Sequence, residues 1–357
     1  MRRLLVLIPV LFLLLVAGAG AGAVLMARQA GPLPETTSLV VPHGRTDGVA
    51  RALQRHGVLA DGTMSRLLFR ALVASYDRHA PLHAAEFSFP AHASMMQVLA
   101  ILRHGRPVQH ELTIPEGLTA AQIAAIIDKA DTLEGPLVVP AEGSVLPETY
   151  AFERGTTRMA LLARMEAAMR RALSQVWEGR EPNLPLSDPQ QMLVLASIVE
   201  RETGVAAERP MVAAVFLNRL RQNMKLQSDP TVAYDASGGL GTLPRPLTRS
   251  DLLQPGPYNT YLIPALPAGP ISAPGLASLR AVAHPAATGA LYFVATGTGG
   301  HAFADTLPEH LQNVARLRAL EAGHPEQVPT IDPLRPPPQT VLPGAPAPGA
   351  RHRHGHR

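Results

Sequence analysis

The chain opens with an uninterrupted apolar run, Leu4 to Met26, bounded by Arg2-Arg3 on one side and Arg28 on the other. At ~1.5 Å rise per residue, such a run is long enough as a helix to cross a ~30 Å hydrocarbon core. The pattern predicts a transmembrane helix over 4–26, with residues 1–3 cytoplasmic by the positive-inside rule and everything after Arg28 beyond the inner membrane. The AGAGAGA stretch supplies small residues suited to signal-peptide cleavage, but the apolar region of a signal peptide runs only about 7 to 15 residues. An uncleaved anchor is therefore expected, followed by a linker over 27–38.

After the linker the chain nearly repeats itself. The copies are LVVPHGRTDGVARALQRHGVL from Leu39, FSFPAHASMMQVLAILRHG from Phe87 and LTIPEGLTAAQIAAIIDKA from Leu112. Each has a short apolar run fit for a strand, then a proline, then Thr46, Ser94 or Thr119 in an N-cap position, then helical spacing. Ala50 and Leu53 correspond to Val98 and Ile101 and to Ile123 and Ile126, at i and i+3. Residues 39–140 thus read as small strand-turn-helix modules that cannot bury an apolar face alone and must pack together or onto the next domain. They resemble the opening of LysM-type units, which leaves two roles open: a structural platform, or a glycan- or partner-binding module.

From residue 141 the pattern changes. A loop-like GSVLPETYAFERGTT precedes a helix from Met159 to Trp177, a Pro-rich linker over Glu181 to Pro189, and a long helix from Gln190 to Thr203. Pro/Gly-rich loops span Gly238 to Pro274. A helix at Leu276 to Ala283, a strand at Leu291 to Ala295, a loop through Gly300-His301 and a helix at Leu307 to Ala322 follow. Helices and short strands without regular alternation give an α+β domain over 141–323 rather than a doubly wound sheet. The tail over 324–357 is rich in Pro and His and is expected to be disordered.

Composition narrows the function classes. The formal charge of +4 rests on Arg2, Arg3, Arg351, Arg353 and Arg357 at the extremities, so the body is near neutral and carries no nucleic-acid footprint. The absence of cysteine excludes disulfides, zinc-thiolate sites and thiol catalysis. His284 and His301 with Ser197 or Ser228 do not make a hydrolase triad, since no G-x-S-x-G elbow is present. His352, His354 and His356 form a His-rich end, and no metal or cofactor is implied.

Candidate chemistry centres on LASIVERET, which sets Glu200 and Glu202 in an otherwise apolar helical segment. A glutamate among Val, Leu and Ile is costly to ionise, so its pKa should rise towards neutrality, as a proton donor requires. The two lie roughly 200° apart around the helix and cannot both face one bond, so they cannot supply the two-carboxylate geometry of ordinary glycosidases. Periodicity does not choose between them. For each, the alternative is a buried carboxylate paired with an arginine, with Arg201, Arg209, Arg219 and Arg221 as candidates.

LASIVERET, then VAAVFLNRL, LQSDPTVAY, YNTYLIPALPAGPISAPG, AVAHPA, LYFVA and GGHAF, with IPEGLT and EGSVLPETY upstream, resemble the YceG-like family of endolytic murein transglycosylases over roughly Leu39 to Arg318. The resemblance implies cleavage of the β-1,4 bond between N-acetylmuramic acid and N-acetylglucosamine in peptidoglycan without water, leaving 1,6-anhydro ends. The family's acid/base is the first glutamate of the IVE-x-ET block, here Glu200. Gln227, Asp229, Thr231, Tyr258, Asn259 and Tyr261 supply donors, acceptors and aromatic faces suited to sugar recognition, or else loop hydrogen bonds and packing. Arg219 is read as neutralising a buried glutamate. The family also implies a single N-terminal anchor, an extracytoplasmic catalytic domain, peptidoglycan strands as substrate and proximity to membrane peptidoglycan synthases. The reading from another class is a non-catalytic, membrane-anchored glycan-binding scaffold. The chain departs from the family where LPPGPI becomes LPAGPI, at Ala265, in the GGLGTLPRPLT insertion, and in AEFSFPAHAS, which lacks a glycine-tyrosine pair.

Overall fold

The computed structural model describes residues 2–77 and 79–323. The fold is mixed α+β with three two-stranded sheets among the described residues. The chain divides into two compact units, one comprising residues up to Glu111 with Ala151–Thr156, the other Leu112–Tyr150 with the chain from Thr157 onward.

The first unit contains α1 (Arg2–Arg28), β1 (Thr37–Val40), α2 (Thr46–Arg55), α3 (Thr63–Ser75), β2 (Glu86–Phe89) and α4 (Met95–His104). The strands of the first two sequence repeats pair antiparallel, with Leu39 opposite Phe87. Leu53, Phe69, Phe87, Phe89, Val98 and Leu102 are buried in one cluster, which is how the repeats cover each other's apolar faces. Ser94 caps α4 as predicted: its Oγ accepts from Gln97 N at 3.3 Å while Gln97 accepts from Ser94 N at 2.8 Å. Thr46 does not cap α2. The N-cap is Arg45, Thr46 is the first helical residue, and Asp47 in the first turn is placed to complement the helix dipole.

α1 forms over the apolar run, but among the described residues no helix is long and apolar enough to cross a membrane. Its second half includes AGAGAGA over residues 17–23, and the transmembrane helix expected over 4–26 is not supported by the fold.

β3 (Gln109–Thr113) pairs with β4 (Thr149–Glu153), and the division between the units falls within this ribbon. β4 corrects the expectation of a loop: Tyr150 and Phe152 are buried in strict alternation with exposed neighbours, a period-two pattern within GSVLPETYAFERGTT. The second unit contains α5 (Ala120–Asp128), α6 (Arg158–Glu178), α7 (Pro189–Glu202), α8 (Arg209–Arg221), α9 (Asp229–Ala236), α10 (Arg249–Leu253), α11 (Leu276–Ala283), β5 (Tyr292–Ala295), β6 (His301–Ala304) and α12 (Leu307–Glu321). β6 replaces the predicted loop at Gly300-His301, because Phe303 pairs opposite Phe293 and both rings pack against the main core. The tail expected to be disordered lies outside the described residues.

α7 is the axis of the second unit. Asp188 caps it by accepting from Gln191 N at 2.9 Å, and every residue from Met192 to Val199 is buried. It packs against α6, α8, α9 and α11. Each fully buried Leu, Ile or Val along it contributes about 1.5–3 kcal/mol of transfer free energy. Such a helix cannot rotate without exposing apolar surface, so the directions taken by Glu200 and Glu202 in its last turn are fixed by packing.

Candidate active site

Ser197 is the first positioning residue. Its Oγ accepts from Ile271 N at 3.0 Å, and Ser272 Oγ donates to its carbonyl at 3.1 Å. The segment from Ile271 to Gly275 is thereby held along α7. On its other side, Ala273 N donates to Leu118 O at 2.8 Å and Gly117 N donates to Ala273 O at 2.9 Å. Gly117 takes a φ of +75°, which opens the turn of IPEGLT around this contact. Arg201 steadies the same loop, donating to Gly117 O at 3.2 Å and to Gly241 O at 3.1 Å.

Glu200 sits where these pieces meet. Its Oε2 accepts from Gly275 N at 2.9 Å, at the N-cap of α11, where the helix dipole favours an anion. Its Oε1 accepts from Arg209 Nη2 at 3.1 Å, and the same nitrogen donates to Glu116 Oε2 at 3.2 Å. The Glu200 side chain is 5 % exposed and that of Glu116 is 43 % exposed, so the trio runs from the interior to the surface. Arg209 Nε is buried without a partner, so its contact with Glu200 is a single end-on bond rather than a closed fork.

Glu202 faces different neighbours. Ser228 Oγ donates to its Oε1 at 2.5 Å. Burial pushes the Glu202 pKa up to about 7, against the Ser228 hydrogen bond and with help from the charge of Asp229. Asp229 is itself raised by burial, opposed by Tyr261, whose hydroxyl donates to its Oδ1 at 2.5 Å. Thr231 Oγ1 donates to Ser228 O at 2.6 Å and lies 2.8 Å from Thr260 Oγ1. Gln227 is exposed at φ +52°, its N–H on Thr260 O at 3.1 Å.

The structure therefore gathers Asp229, Thr231 and Tyr261 around Ser228 and Glu202, with Gln227 exposed one residue before Ser228, while Glu200 has Arg209, Glu116 and Gly275. Asn259 is buried, and its Nδ2 donates to the carbonyls of Asp251, Leu252 and Gln254. Tyr258 packs on Tyr234 with ring centroids 4.8 Å apart. Arg219 lowers the Glu202 pKa through its charge, against the effect of burial, but among the described residues it makes no direct ion pair with a glutamate. Its donors meet the carbonyls of Leu291 at 2.7 Å, Lys225 at 3.2 Å and Leu226 at 2.8 Å, so its charge acts on the buried glutamate from a distance rather than by a direct bond. Asp229 starts α9, with Pro230 in its first turn. Ser197 is engaged on both sides, and His301 is held by Glu208 at 2.7 Å. Among the described residues, no group of three or more His, Asp and Glu side chains is arranged to hold a metal ion.

Glu116 and Gly275 were not singled out by sequence reasoning. IPEGLT and ISAPG were visible as blocks, but no local pattern says that two loops so far apart in sequence close on the end of α7.

The YceG-like family model matches residues 39–316, and the chain belongs to that family. An endolytic murein transglycosylase of Bacillus subtilis (strain 168) is 34 % identical over 171 residues, covering 48 % of this chain and 46 % of that protein. One from Streptococcus pneumoniae serotype 2 is 28 % identical, covering 77 % of this chain and 57 % of the relative. The chain thus spans about half the length of the curated relatives it matches. A solved YceG-like protein from Listeria monocytogenes is 28 % identical with a TM-score of 0.47, covering 78 % of this chain and 98 % of that one.

Proposed function

We propose that this chain is an endolytic peptidoglycan lytic transglycosylase, cleaving the β-1,4 bond between N-acetylmuramic acid and N-acetylglucosamine in nascent strands and terminating their elongation. The observation that carries the reading is the family match together with an intact LASIVERET block at the end of a rigid, buried helix. Glu200 is the acid/base. Protonated, it gives its proton to the glycosidic oxygen; as carboxylate, it takes the proton of the muramyl C6 hydroxyl as that oxygen attacks C1. The nucleophile is tethered to the same sugar, so its effective molarity is high and no second carboxylate is required to activate water. The Gly275 N–H and the single Arg209 bond stabilise the carboxylate that forms between the two proton transfers.

An inner-membrane anchor in α1, cytoplasmic N-terminus and extracytoplasmic site complete the proposal, supported by the uncharged Leu4 to Met26 run. Residues 39–140 serve as a LysM-like region and 141–323 as the catalytic domain, near membrane synthases. Gln227, Asp229, Thr231, Tyr258, Asn259 and Tyr261 are substrate-side candidates, with Gln227 the exposed one among them.

A second reading, a non-catalytic glycan-binding scaffold, is favoured by one observation, the ion pair of Glu200 with Arg209. Digestion of purified glycan strands, with mass spectrometry of the ends, separates the two. The catalytic reading expects anhydro ends from the wild type and none from Glu200→Gln. Electrostatics alone would choose Glu202, so Glu202→Gln is run in parallel. Loss confined to Glu202→Gln, or reducing ends in place of anhydro ends, would defeat the mechanism.

A further inference from the structure

Gly275 has no side chain, and the space its Cβ would take is filled. An ideal Cβ there would lie 1.8 Å from Glu116 Oε1 and 2.3 Å from its carboxyl carbon. The backbone of Gly275 is at φ −72°, which any residue adopts, so the conformation does not require glycine. What fills that space is the carboxylate end of Glu116, drawn against the N-terminus of α11 and onto the Arg209 nitrogen that also serves Glu200. The loop that carries Glu116 is clamped by Ala273 and by Arg201, so this placement is built into the fold.

We infer that Glu116 is a positioning residue for the acid: it shares the Arg209 guanidinium and thereby keeps Glu200 able to hold a proton. The inference rests on the proposed role of Glu200. The charged groups facing Glu200 are Arg209 at the start of α8 and Glu116 from the loop before α5, with the N-terminus of α11 contributing its partial positive charge. Arg201, on the same helix, is turned onto carbonyls, and Glu202 with Asp229 lies around the other side of α7. Neutralising Glu116 leaves the full charge of Arg209 on Glu200 and removes a neighbouring negative charge. Both changes favour the ionised acid, which cannot begin the reaction.

The test uses the full chain on purified glycan strands, with anhydro ends counted across a pH series. Glu116→Gln is expected to move the alkaline limb of the rate profile down by about one pH unit and to lower the rate at neutral pH by ~10-fold, largely restored at lower pH. Glu116→Asp, which keeps the charge, is expected to keep the limb in place. Gly275→Ala, whose methyl group displaces the flexible end of Glu116, is expected to reproduce the Glu116→Gln profile, and the double variant to be no worse than either single one. A rate lost equally at every pH, an unmoved limb, or additive effects in the double variant would overturn the inference. Anhydro ends persisting in Glu200→Gln would instead overturn the parent reading.

Discussion

Ser272 donates its hydroxyl to the carbonyl of Ser197 at 3.1 Å, across 75 residues of sequence. Both side chains are fully buried. With the return bond from Ile271 N to Ser197 Oγ, this contact lays the ISAPG segment along α7 and brings Gly275 to the acid.

Replacing Ser197 with alanine leaves the Ile271 N–H buried without its partner. The expected cost is about 1–3 kcal/mol, read from urea denaturation of the full chain. Lytic activity is expected to fall beyond what the stability loss explains, because the peptide N–H that holds Glu200 moves with the segment. Unchanged stability and activity in Ser197→Ala would show that the clamp is dispensable.

Asn259 separates packing from sugar recognition. Its amide donates to the carbonyls of Asp251, Leu252 and Gln254 and its Oδ1 accepts from Tyr261 N at 3.0 Å, so Asn259→Ala takes the partner from several part-buried backbone groups. A stability loss on the order of 1–3 kcal/mol is expected. A fully stable variant whose KM alone rises would assign Asn259 to substrate instead.

Glu202 makes stability depend on pH. In the unfolded chain it ionises near 4.5, whereas in the folded protein burial holds its pKa at about 7. Between those values the unfolded state has released the proton and the folded state has kept it, so stability from this group falls as pH rises through the window and levels off above it. Glu202→Gln is expected to remove that fall. Comparing urea midpoints at about pH 5 and about pH 8 should show the wild type losing on the order of 2–3 kcal/mol more than the variant. Equal losses would mean that the carboxyl is already ionised throughout.

Much of this architecture was legible in the chain. The boundaries of α6, α7, α11 and α12 lie within a residue of those read from the sequence, and the apolar girdle of α7 foretold a central helix. The α+β class followed from helices and short strands in irregular order. β4 and β6 were missed because a strand of four or five residues is stabilised by its partner rather than by its own sequence, and α3 lacks a side-chain cap to announce it.

The helical period established that Glu200 and Glu202 point apart, since that is a property of the backbone alone. Their partners are another matter. Arg209 was one of four arginines open to Glu200, and Arg219 is turned towards carbonyls. Glu116 beside Gly275, and Ser228 with Asp229 beside Glu202, are contacts between segments far apart in the chain. Such contacts are decided when distant loops close over a buried helix, and no local pattern of residues encodes which loop arrives where.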